Sequence, residues 1–135
     1  MMNPRYIHFL SDSKAYATDL YSPYITVFSP QTMTYLSSVS TEQSEAYGYC
    51  STEQMVQYGK EVFTNCWSYS NKVLVIDCEQ DVLGDSITLS SWQPKSMVLD
   101  ARNKLWVVTD GGFDSDEGSF SDNIPHLYRI DAARS

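Results

Sequence analysis

The groups in this sequence that could do chemistry are carboxylates, thiols and a scatter of aromatic rings. Asp110-Gly-Gly-Phe-Asp-Ser-Asp-Glu117, followed by Asp122, gathers carboxylates in one segment, the oxygen-rich donor set that calcium prefers. Its spacing is not that of an EF-hand, which needs a Gly at the sixth position and a bidentate Glu at the twelfth. The plainer reading is a solvated acidic loop, with Gly111-Gly112 allowing positive φ after a strand. Asp77 and Asp131 resemble an acid/base pair, but each closes an apolar strand, where an Asp side chain caps its own turn. The only histidines are His8 and His126; no Ser sits in a G-x-S-x-G elbow and no Cys/His pairing is evident, so nucleophilic hydrolysis has no support. Cys50, Cys66 and Cys78 are odd in number and lack the paired spacings that hold zinc. They read as unpaired, mostly buried thiols. No catalytic residue, metal ligand or cofactor is expected.

Recognition is a better match to the residue types. Tyr21, Tyr24, Asn65, Trp67, Tyr69, Trp92 and Phe113 form an aromatic and amide set lying between the apolar segments. Flat rings with polar edges suit a large, partly apolar ligand or a glycan, because they supply contact area at low entropy cost. The competing reading, that several of them pack between sheets, stays open.

The elements that position these residues repeat. Lys14-Ala-Tyr-Ala-Thr-Asp19, Lys60-Glu-Val-Phe-Thr-Asn65 and Asn103-Lys-Leu-Trp-Val-Val-Thr-Asp110 are versions of one strand, and their last residues are 46 and 45 positions apart. A period in the forties with several short strands per unit marks β-propeller blades. The chain therefore reads as all-β: a partial propeller of about three four-stranded blades, open rather than closed, since closed rings take roughly four to eight. Blade one covers about residues 4–40, with strands near Tyr6–Leu10, Ala15–Asp19, Tyr24–Phe28 and Tyr35–Val39. Blade two covers about 53–90, with strands near Met55–Tyr58, Val62–Asn65, Lys72–Ile76 and Ser86–Leu89. Blade three covers about 94–131, with Ser96–Leu99, Leu105–Thr109 and Leu127–Ile130 and no outer strand. Successive antiparallel strands alternate direction, so the long connections 40–52 and 110–125 emerge on one face, together with the aromatic set.

Composition narrows the partners. Seventeen acidic against nine basic residues give a net charge of −8, which repels a phosphate backbone and disfavours nucleic acid and anionic membranes. Ten Tyr in 135 residues fit strands and loops that present rings to solvent. No apolar run approaches the length of a membrane-spanning helix, and Met1-Met-Asn-Pro-Arg5 lacks the charged start and apolar core of a secretory signal. The chain reads as a segment of a larger propeller. Self-association is expected through blade one's open apolar face and blade three's unfinished edge.

Pro94 to Asp100, Asn103-Lys-Leu-Trp-Val-Val-Thr-Asp-Gly-Gly112, Leu127-Tyr-Arg-Ile-Asp131 and Asn71-Lys-Val-Leu-Val-Ile-Asp77 resemble the repeats of YVTN-type propellers. They are most similar to the surface-layer propeller lipoproteins of Bacteroidetes, some of which capture cobalamin and pass it to an outer-membrane transporter. The resemblance implies a non-catalytic protein at the cell surface or in the periplasm of a Gram-negative bacterium, with a bulky ligand such as a corrinoid on the loop face. Two other roles share the fold: a protein-interaction scaffold, and a calcium-dependent hydrolase of the lactonase type. Rings converging near the axis mark the first, a flat exposed patch the scaffold, and carboxylates meeting in the channel the hydrolase.

Overall fold

The structure is a computed structural model describing residues 3–42, 50–67, 70–112 and 124–134. These residues form eleven strands and no α-helix: β1 Pro4–Ser11, β2 Lys14–Asp19, β3 Tyr24–Ser29, β4 Thr34–Ser40, β5 Thr52–Tyr58, β6 Glu61–Cys66, β7 Lys72–Asp77, β8 Val82–Thr88, β9 Pro94–Leu99, β10 Lys104–Thr109 and β11 Leu127–Asp131. They make three antiparallel meanders, β1-β2-β3-β4, β5-β6-β7-β8 and β9-β10-β11, none closed on itself. Each sheet is one blade, with β1, β5 and β9 as the inner strands that touch from blade to blade.

The turns explain the meanders. Tyr58 pairs with Glu61 across Gly59-Lys60, with Gly59 at φ 60°, where a Cβ would be strained. Between β7 and β8, Asp77 accepts from the backbone N–H of Glu79 (2.9 Å) and Gln80 (3.0 Å), and Asp81 takes φ 57°. Asp131 accepts from Ala133 N at 3.0 Å in the corresponding turn of blade three, so both carboxylates cap turns on the face opposite the long loops. Asp100 caps the β9–β10 turn through Arg102 N (2.8 Å) and Lys104 N (3.0 Å) and also takes the Trp106 indole N–H at 2.8 Å.

These bonds to the ionised form hold all three carboxyls below their usual range. The causes are the Trp106 indole and then Lys104 N for Asp100, Gln80 N for Asp77, and Ala133 N and then Lys104 for Asp131. A depressed folded pKa contributes stability that is present above the unfolded value, near 3.8, and is lost as pH falls through the folded one. The melting temperature is therefore expected to drop on acidification below about pH 4, and Asp100→Asn to flatten part of that drop. An unchanged acid limb in the variant would show that Asp100 does not cap the turn when ionised.

Packing lies between blades. Tyr16, Ile25, Val27 and Val39 of blade one meet Val62, Ile76 and Cys78 of blade two. Phe63, Val73 and Val75 of blade two meet Met97, Leu105 and Val107 of blade three. The central blade is thus covered on both faces, which is why β7 reads as the continuous apolar run Val73-Leu-Val-Ile76 rather than as an alternation.

Two details depart from the sequence reading. The outer strand of blade two starts at Val82 rather than Ser86, and Leu89 has left the ladder. Ile76 faces Leu83 and Val75 faces Asp85, so Gly84 is a bulge, and this small residue in a strand disguised the element's start. The Lys-led strands are also offset by one. Both hairpins have two-residue turns, Asp12-Ser13 and Gly59-Lys60, so Lys14 corresponds to Glu61 while Lys60 sits in the turn. Lys104 shares that register, because it pairs with Asp131 as Glu61 pairs with Asp77. Tyr16, Phe63 and Trp106 are consequently equivalent. Tyr16 and Phe63 face the next blade, and Trp106 lies on the face away from blade two.

Candidate functional site

Asp19, Asn65 and Asp110 stand at or beside the ends of β2, β6 and β10 and organise the loop face. Asp19 accepts from Asn3 N (3.1 Å) and from Tyr21 N (2.9 Å), so the residue that anchors the start of β1 also turns Tyr21 outward. Asn65 accepts from Gln54 N at 2.9 Å and donates to Pro94 O at 2.7 Å, spanning blades two and three. It is fully buried, and both ends of its amide are spent on backbone. Asp110 accepts from Gly112 N at 2.9 Å, and the buried Gln93, with its amide turned to donate, reaches the two Asp110 oxygens at 2.9 and 3.2 Å.

Around these anchors Tyr21 is 56% and Tyr24 43% exposed on blade one. Trp67 is half-buried at the end of β6, with the Lys95 ammonium of blade three 5.1 Å from its ring centroid. Trp92 is half-buried in the connection from blade two to blade three, its carbonyl accepting from Gly111 N at 3.1 Å. Tyr69 and Phe113 lie outside the described residues, as does the acidic stretch 113–123. The loop face thus carries Tyr21 and Tyr24 on blade one and Trp67 and Trp92 around the junction of blades two and three. Among the described residues, surface hollows lie on the outer face of blade one, beside its Ser11–Asp12 turn, and around Glu61 and Arg134.

Cys50 and Cys66 form a disulfide across 16 residues, with Cα atoms 5.3 Å apart, which corrects the reading of all three cysteines as unpaired. Thr52 pairs with Cys66 in the β5–β6 ladder, so the approach to β5 brings Cys50 alongside the end of β6. The sequence spacing carries no hint of this, because the pairing follows from the strand register. Cys78 is the free, buried thiol.

Sequence reasoning missed the polar contacts between blades. Along the inner strands Arg5 Nε donates to Glu53 (2.8 Å), and His8 Nε2 and the Gln57 amide oxygen are 2.9 Å apart. Thr18 donates to Glu53 O (2.7 Å), and Met97 N to Gln54 Oε1 (3.0 Å). At the opposite rim Lys14 Nζ donates to Cys78 O (2.6 Å) and Asp81 Oδ1 (2.9 Å), and the Tyr16 hydroxyl donates to the same Asp81 oxygen at 2.5 Å. Burial first, and the Asp81 carboxylate second, push the Tyr16 phenol well above its ordinary range. Arg134 and Glu61 pair at 3.2 Å across the second junction, the same latch with its charges reversed. Among the described residues no three of His, Cys, Asp and Glu converge as metal ligands would.

Consecutive antiparallel meanders of four, four and three strands, joined face to face by apolar packing and latched at both rims, define this chain as blades of a β-propeller. Neither a protein-family model nor a curated protein matches the sequence. Solved propeller structures do match its fold. Hydrazine synthase from Kuenenia stuttgartiensis superposes with a TM-score of 0.66 over 90% of this chain at 18% identity, and a luciferin-regenerating enzyme with 0.71 over 94% at 16%. The chain spans 31% and 44% of those two proteins, less than half of either. At such identities the likeness extends to the fold and not to the activity.

Proposed function

We propose that the chain belongs to a non-catalytic, extracytoplasmic binding propeller of the YVTN type, with a bulky, partly apolar ligand on its loop face. The observation that carries this is the set of four aromatic side chains, Tyr21, Tyr24, Trp67 and Trp92, held partly or largely exposed on that one face by anchored backbone. Exposed rings on a fixed base supply binding area without ordering cost. The Cys50–Cys66 disulfide supports an oxidising compartment, the cell surface or periplasm of a Gram-negative bacterium. Among the described residues no helix is long and apolar enough to cross a membrane. The resemblance to Bacteroidetes surface lipoproteins favours a corrinoid such as cobalamin as the ligand and an outer-membrane transporter as the partner.

Trp67 and Trp92 are placed to report the ligand. Titration with cyanocobalamin is expected to quench their fluorescence, and Trp67→Ala or Trp92→Ala to weaken binding by about 1–3 kcal/mol if the ring is a central anchor. Asp77→Ala, on the opposite face, should leave affinity unchanged. A folded protein that shows no quenching by any corrinoid, with a glycan panel as control, loses the cobalamin reading. A second reading, a protein-interaction scaffold, is favoured by the open apolar face of blade one, where Ile7, Phe9 and Tyr35 are exposed.

A further inference from the structure

The face of blade one turned away from blade two is an unfilled copy of a junction this chain already makes twice. Ile7 pairs with Ala17, Phe9 with Ala15, and Ala15 with Phe28, so these side chains share the face opposite Tyr16 and Val27. Ile7, Ala17, Thr26, Phe28, Met33 and Tyr35 are among the residues that line a groove of about 660 Å³ on this face, and Met33 is 78% exposed.

Register shows what this groove would receive. At the first junction the Tyr16 ring packs on Val62, Ile76 and Cys78, and Lys14 and Tyr16 latch onto Asp81. The equivalents on blade one's open face are Ala15 for Val62, Phe28 for Ile76, Pro30 for Cys78 and Met33 for Asp81. Met33 and Asp81 even share the left-handed backbone, at φ 53° and 57°. The floor open to the groove has become smaller, Ala17 in the place of Thr64, and the acid has become a thioether. Both changes suit a larger ring than Tyr. Blade three carries one at the equivalent position: Trp106, on its open face, with Lys104 in the place of Lys14 and exposed Val98, Val108 and Leu127 around it.

We propose that this chain docks on a second copy of itself, blade three of one onto blade one of the other, with Trp106 entering the groove over Ala17, beside Phe28 and against Met33. Methionine sulfur against an aromatic edge is a favourable contact, and Lys104, which pairs with Asp131 at 3.1 Å in the single chain, also comes to the Pro30 carbonyl as Lys14 comes to that of Cys78. Two such junctions related by a two-fold axis close the pair, as a head-to-tail contact must if it is not to run on into a fibre.

The test is the association state of the chain by sedimentation and light scattering over a dilution series, with far-ultraviolet circular dichroism as the check on folding. A dimer that dissociates on dilution is expected. Ile7→Glu and Trp106→Glu are each expected to be monomeric alone and to recover dimer when mixed one to one, because the mixture keeps one intact junction. Met33→Asp restores the acid that Asp81 supplies elsewhere and is expected to tighten the dimer about tenfold, an effect that Lys104→Glu abolishes. A wild-type monomer at every concentration, a Trp106→Glu dimer as tight as wild type, or weakening by Met33→Asp would each overturn the proposal. The second of these would mean that blade one faces pair with each other. The Met33 variant is exposed and leaves the core untouched, so it decides the matter even if the other two fail to fold.

Discussion

Tyr16→Ala is expected to destabilise the chain by about 3–5 kcal/mol, as truncation of a large buried ring does. The ring is fully buried between blades one and two, among Ile25, Val27 and Val39 on its own side and Val62, Ile76 and Cys78 on the other. Its removal leaves a cavity that neither sheet can close alone, because each is braced by its own ladder. The hydroxyl adds a smaller share. Tyr16→Phe is expected to cost about 1 kcal/mol, the net worth of one hydrogen bond, since Asp81 keeps Lys14 at 2.9 Å and remains partly in water. The phenol's raised pKa gives the second variant a distinct signature. Stability tied to the protonated hydroxyl is present below the unfolded value of 10.0 and lost as pH rises through the folded one, so Tyr16→Phe should flatten the alkaline limb of the stability profile. Urea titrations across pH measure both effects. A loss near zero for Tyr16→Ala would show that blades one and two do not depend on this ring. A total stability of about 5–15 kcal/mol makes a loss of 3–5 large enough to open the junction.

The same ring shows what was legible in the sequence and what was not. Strands were legible because their apolar runs are bounded by turn residues: Tyr24-Ile-Thr-Val-Phe28 and Lys72-Val-Leu-Val-Ile76 fall on β3 and β7 almost to the residue. The equivalence of Tyr16, Phe63 and Trp106 was hidden, because alignment on the lysines slides blade two by one residue and puts Phe63 opposite Ala17. Only ladder register, fixed by the two-residue turns, corrects this. Tyr21, Tyr24, Trp67 and Trp92 stood out as rings in polar connections and lie on one face, while Tyr69 and Phe113 of the same set fall outside the described residues. The role of Asn65 was not legible, because its two backbone partners are 11 and 29 residues away. The latches were further out of reach: Lys14 to Asp81 spans 67 residues and Glu61 to Arg134 spans 73, and no local pattern encodes such contacts.

Loss of the Cys50–Cys66 bond is expected to cost about 3 kcal/mol, the chain-entropy value for a loop of roughly this length, within the usual 2–4. The double variant Cys50→Ala/Cys66→Ala is the cleaner test, because both sulfurs are fully buried in the native state and a reductant reaches them slowly. Urea unfolding of the variant against the oxidised chain gives the difference directly. The bond ties the approach to β5 onto the end of β6, and Trp67 follows Cys66 at once, with its backbone N–H donating to Ser51 O at 3.0 Å. Removing the tether therefore releases both flanks of the Trp67 anchor, and a redder, more quenchable tryptophan emission should accompany the stability loss. Thiol titration of the denatured protein fixes the starting state: one reactive thiol, Cys78, after production in an oxidising compartment, and three after reduction. Three thiols before reduction would remove both the stabilisation and the support for an extracytoplasmic location. One thiol with no stability difference would mean that the unfolded chain holds these residues close without the bond.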